Sequence, residues 1–150
     1  MPNRKVHVVT SGAIGALFAL HKSGDQPDLS RVCEALGGLV GGYAGGRLPD
    51  VLDPPTSPRH RGRAHSFAAA ATVLKLSRRD LDRWQQTCRR WADECHANQQ
   101  AATPCSPERV LMQLAELACR LLAGCLAGLL AGYLAHLALD SVTPCCLNLI

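Results

Sequence analysis

Aromatic side chains make up only 4% of this 150-residue chain: two Phe, two Trp and two Tyr. Sandwiches and barrels draw their cores from aromatic and β-branched residues, so this scarcity argues against both. A cleavable export signal is missing as well. Arg4 and Lys5 precede an apolar run from Val6 to Leu20, which imitates one, but the run carries His7, Thr10 and Ser11, and no A-x-A site closes it before His21. It is therefore expected to remain part of the fold. The eight cysteines lack the regular spacing of a disulfide framework. They read as reduced, mostly buried thiols, with Cys88 and Cys95 the pair to test first.

What the chain does contain is Ala, Leu, Val and Gly, which dominate a hydrophobic fraction of 47%. That composition suits close-packed helices, and the length suits one domain with a real core. The formal charge of +4 comes largely from arginine, much of it between Arg47 and Arg90. An anionic partner follows from it: phosphate, nucleic acid or a lipid headgroup.

Along the chain, "VHVVTSGAIGALFAL" reads as a first helix and "KSGDQPD" as a loop, with Asp28 or Ser30 starting a second helix that runs from about Arg31. That helix is expected to break at "LPD", because the following "DPPTSP" cannot be helix interior, leaving residues 47–63 as loop. A third helix is expected from near His65. The polar stretch "LSRRDLDRWQQTCRRWADECHAN" forms a fourth, with one narrow apolar seam of Leu81, Trp84, Cys88, Trp91 and Cys95. "QQAATPCSPE" is a linker with Ser106 as cap, and a long final helix runs from about Glu108 to Asp140. The expectation is an all-α, single-domain bundle of about five helices, with a polar helical insert at about 77–107.

Glycines recur every fourth residue at Gly38, Gly42 and Gly46 and again at Gly124, Gly128 and Gly132. Each glycine weakens a helix by about 1 kcal/mol relative to Ala, and close backbone approach is the usual compensation. Leu121 to Leu139 is a nineteen-residue run without formal charge, just long enough to cross a bilayer, although His136 interrupts it. It fits a buried helix of a soluble or membrane-attached protein equally well.

Potential metal ligands are few: His7, Asp50 and Asp53, His60 and His65, and His136 and Asp140. His136 and Asp140 are four apart and share a helix face, while the His60 to His65 spacing lets a turn present both imidazoles. Burying imidazole and carboxylate in an Ala/Leu helix is costly without an ion, and such donors suit Zn, Mn or Fe. More than four ligands implies more than one ion.

"GGRLPDVLDPPTSPRHRGRAHS" followed by "GYLAHLALDSVTP" resembles the YdjM-type family of inner-membrane-associated metal-dependent hydrolases, and more distantly the helical zinc phospholipase C and single-strand nuclease class. His7, Asp50, His60, Arg61, Gly62, His65, Ser66, His136, Asp140, Thr143 and Pro144 fall on family positions. One residue more than the commonest form separates Asp50 from Asp53, and no His follows Asp53. The resemblance implies a metal centre of His7, Asp50, His60, His65, His136 and Asp140. Arg61 would offset charge on a phosphate ester, and Asp53 would serve as general base or further ligand. The substrate would be a phosphodiester, a nucleotide or a phospholipid headgroup, and the location the cytoplasm or the inner membrane.

Two other classes compete. One is a membrane-associated adaptor with a structural metal, working alongside a transcriptional repressor. The other is a nucleic-acid or protein-binding module built on the arginine face and the tryptophan seam, which is also the expected contact for a second copy of the chain.

Overall fold

The computed structural model describes residues 4–52 and 67–141, and all four elements among them are helices: α1 Arg4–Ser23, α2 Asp28–Leu52, α3 Phe67–Ala101 and α4 Pro107–Ser141. Local chemistry accounts for most of the ends. His21 and Lys22 sit in the last turn of α1, where positive charge complements the helix dipole. Gly24 then takes a left-handed φ of 58°, a conformation that costs other residues energy and that stops the helix. The Arg31 N–H donates to the Pro27 carbonyl at 3.0 Å, closing the first turn of α2. The Ser106 hydroxyl accepts from the Arg109 N–H at 3.2 Å, with Pro107 in the first helical position of α4.

Two expectations are corrected. The chain has four helices rather than five among its described residues, because no Gly or Pro interrupts Phe67–Ala101 and a serine at 77 costs a helix only tenths of a kcal/mol. The polar stretch 77–107 is thus mostly the continuation of α3. Nor does α2 break at Pro49; it continues to Leu52. The proline removes one backbone donor, but its ring is fully buried, and the packing it gains holds the extra turn that carries Asp50.

Glycine sets how α1, α2 and α4 meet. A Cβ placed on Gly124, Gly128 or Gly132 would strike the backbone carbonyls of Glu34, Gly38 and Gly42 in turn. These contacts align α2 and α4 in parallel, four residues to a step. A second α2 row, Gly37, Gly41 and Gly45, lies against the α4 carbonyls of Leu121, Cys125 and Leu129. Gly38 and Gly42 also meet Gly15 of α1, which runs antiparallel to both. Helix α2 is thereby clasped from two sides at backbone-to-backbone distance, the geometry that bare stripes permit. The buried residues are accordingly small: Ala19, Ala123, Ala127 and Ala135 are buried, whereas Leu17, Leu36, Val40 and Leu122 face outward.

Helix α3 packs on α4 alone, and its ties to the rest are ionic. Arg89 holds the fully buried Glu34 carboxylate of α2, its Nε donating to Oε1 at 3.0 Å and Oε2 at 3.2 Å. Arg120 of α4, also buried, donates to Asp93 at 2.7 Å and to Gln26 at 3.1 Å. The tryptophan seam does not bury: Trp84 and Trp91 are 61% and 55% exposed. Among the described side chains of α3 the buried ones are Gln85 and Ala92, on a face displaced from the seam, and the indoles edge a groove with Leu122 and Leu126. Cys33, Cys88, Cys95, Cys105, Cys119 and Cys125 are all free thiols, and burial pushes Cys88 above the usual thiol range.

Candidate metal centre

The register of the three glycine-packed helices continues past the last glycine. Steps of four on α4 lead from Gly132 to His136 and Asp140, and the same steps on α2 lead from Gly42 to Gly46 and Asp50. On α1 they lead back from Gly15 to Ser11 and His7. The beginning of α1 and the ends of α2 and α4 therefore meet in one layer that holds two imidazoles and two carboxylates.

The distances bear this out. His136 Nε2 lies 3.3 Å from Asp140 Oδ2 and 3.7 Å from Asp50 Oδ1, and His7 Nδ1 lies 3.7 Å from Asp140 Oδ1. The His7 and His136 rings meet edge to face with centroids 5.1 Å apart. His7, His136 and Asp140 each offer a ligand atom, and these atoms lie within 4.8 Å of one another. All three residues are at most 6% exposed, whereas the Asp50 side chain keeps 24% of its surface. Two ligands each about 2.1 Å from a tetrahedral ion stand about 3.4 Å apart. The imidazole–carboxylate separations of 3.3 to 3.7 Å are near that edge, and the three donors, within 4.8 Å of one another, form a candidate site for a divalent ion.

Of the residues singled out in the sequence, His7, Asp50, His136 and Asp140 come together. Asp53, His60, Arg61, Gly62, His65, Ser66, Thr143 and Pro144 lie outside the described residues. His21 is exposed, and His96 pairs with Glu116 at 3.0 Å on the surface, far along α3 from the centre. Sequence reasoning missed Ser11, whose fully buried hydroxyl has no hydrogen-bond partner among the described residues and abuts the position of Gly46, one turn below His7. It also missed the Glu34 to Arg89 pair. A single carboxylate inside an Ala/Gly helix was the available signal, since a buried acid requires a partner.

No family model, curated protein or solved structure matches this chain.

Proposed function

We propose that the protein is a metal-dependent hydrolase of phosphate esters that works at a membrane surface. The observation that carries the metal part is the buried meeting of His7, His136 and Asp140 from opposite ends of the chain. The hydrolase part rests on the resemblance of the sequence motifs. A bound zinc ion would supply a nucleophile at neutral pH and positive charge for phosphoryl oxygens. His7, His136 and Asp140 hold the ion in this reading, with Asp50, the most open of the four, at the side where substrate enters. In the motif reading His60 and His65 would hold a second ion, Arg61 would meet the substrate phosphate and Asp53 would take the proton.

The membrane part is supported by the exterior. Pro107–Ser141 is the one helix among the described residues that is long and apolar enough to cross a bilayer, and half of its apolar stretch is buried in the bundle. The outward faces of α1 and α2 carry the exposed Val6, Val9, Leu17, Leu36, Val40 and Tyr43, an apolar surface of the kind that meets lipid or a partner. The outward side of α3 carries Lys75, Arg78, Arg79, Arg83 and Arg90 beside the exposed Leu76, Trp84 and Trp91, so it is the more charged side of the bundle. This division supports reading the bundle as lying in the membrane surface.

Purified chain should contain about one or two equivalents of zinc, manganese or iron by elemental analysis. His136→Ala and Asp140→Ala should lose most of that metal and with it the cleavage of bis-(p-nitrophenyl) phosphate. Arg61→Ala should keep the metal and lose turnover. Metal retained by the unmutated chain with no ester cleaved under any divalent ion would favour the adaptor reading. The near-complete burial of three ligands speaks for that second reading, because structural sites are closed.

A further inference from the structure

Helices α1 and α3 both rest on α4 without packing on each other, and between them runs a cleft of about 550 Å³. Its volume falls in the range of small-molecule sites, about 300 to 1,000 Å³. Along the floor it extends from Leu126 to Ala138 of α4, roughly 18 Å at 1.5 Å per residue. One acyl chain spans about the same length, half of a hydrocarbon core roughly 30 Å thick. Phe18, Leu81, Leu130 and Leu134 make its walls apolar.

The polar lining gathers at one end. Lys22 of α1 donates to Asp82 of α3, and Arg78 Nε lies 3.9 Å from the other oxygen of the same carboxylate. Two cations thus share one acid, and the rim keeps one positive charge unmatched. Gln85, one turn on from Asp82, lines the same cleft. It is 2% exposed, and its Nε2 has no hydrogen-bond partner among the described residues. Buried amide donors rarely stay unsatisfied in a folded protein, so this one is placed for an acceptor that the chain does not itself supply.

We infer that the cleft between α1 and α3 binds a long-chain fatty acid, with its alkyl chain along α4 and its carboxylate at Lys22, Arg78 and Gln85. The unmatched single charge complements a monoanion, and the carboxylate accepts from the Gln85 amide. The cleft lies between the apolar outward face of α1 and the charged outward face of α3, where the two ends of an amphiphile separate. Lys22 is fifteen residues from His7 along α1, about 22 Å, so this carboxylate sits far from the His/Asp centre. The site is a second one, and it stands whether or not the protein is a hydrolase.

The test is photolabelling of the full chain in phosphatidylcholine vesicles with palmitate carrying a diazirine near its methyl end, mapped by mass spectrometry. Label is expected on cleft residues of α3 and α4 near Leu74 and Leu134. Ala131→Phe, which fills the floor, should reduce it at least tenfold, and Gln85→Leu should weaken palmitate competition about tenfold, one charge-assisted hydrogen bond. Hexadecyltrimethylammonium should compete at least tenfold less well than palmitate, and lysophosphatidate, a bulkier anion, less well than palmitate too. Label spread over the outward faces of α1 and α2 and unchanged by Ala131→Phe would reduce the cleft to ordinary lipid contact and overturn the proposal. Equal competition by the cation, or binding kept or tightened in Gln85→Leu, would overturn the headgroup assignment. Circular dichroism separates a misfolded Ala131→Phe from an emptied site, and Gln85→Leu tests the same site without added bulk.

Discussion

Helices α1, α2 and α4 are joined by the absence of side chains, and α3, which packs on α4, is tied across to its neighbours by charged ones. In the first region glycine rows bring backbone onto backbone and turn leucine and valine outward. In the second, long basic side chains reach across to single acids: Arg89 to Glu34, Arg120 to Asp93, Lys22 to Asp82. The two kinds of contact tolerate different changes. A backbone contact has no slack, since an added methyl meets a carbonyl that its own helix holds in place. An ion pair between flexible side chains adapts, but it fails badly when one buried partner is removed.

The largest expected effect comes from adding bulk to the tight region. Gly128→Leu would drive its side chain into the Gly38 carbonyl, and no folded protein is expected by circular dichroism. Gly128→Ala is expected to lose about 2 to 3 kcal/mol in urea titration, despite its better helix propensity. A tolerated Gly128→Leu would show that α2 and α4 are not in backbone contact and would erase the contrast.

Next in size is the ionic region. Arg89→Ala leaves the fully buried Glu34 without its partner, and a loss of about 3 kcal/mol is expected by the same titration. Replacing both residues by leucine should recover most of that loss. Recovery would sharpen the comparison, because it would show that this pair chooses how α3 docks more than it stabilises the fold.

The smallest effects belong to the exposed seam. Trp84→Ala and Trp91→Ala should each lose about 1 kcal/mol or less in the monomer, since over half of each side chain is already in solvent. Metal content should not change. A shift in molecular mass by light scattering in the double variant would identify the seam as the contact between copies, whereas loss of metal would show that seam and centre are coupled.

Cysteine chemistry supplies an independent check on burial. Cys105 is exposed and should react with iodoacetamide at pH 8 before the other described cysteines. Cys88, its thiol pushed up by burial, should react at least tenfold more slowly until urea unfolds the chain.

Much of this was legible before any coordinates. Helical class followed from composition, the α4 cap from Ser106 and the close approach from four-residue glycine spacing. His136 and Asp140 share a face by their spacing alone. The α2 row Gly37, Gly41 and Gly45 stood equally plain in the sequence, but nothing in a one-dimensional pattern says that a helix has neighbours on two sides. The tryptophan seam misled for a related reason. Three-four spacing marks a face, and two buried anchors on α3, Gln85 and Ala92, drew the helix around so that its indoles ended at the edge.

The sequence by itself determined that the chain is helical, where its glycine faces lie and which residue types could hold an ion, because these depend on neighbours within a turn or two. Only the tertiary structure decided that α2 runs through Pro49 to deliver Asp50, that His7 meets His136 across the length of the chain, and that leucines rather than glycines look outward. The physical reason is register. Backbone contacts between glycine rows set it to within one residue, and a slip of four on any one helix would leave the same histidines and aspartates on the same faces a full turn apart.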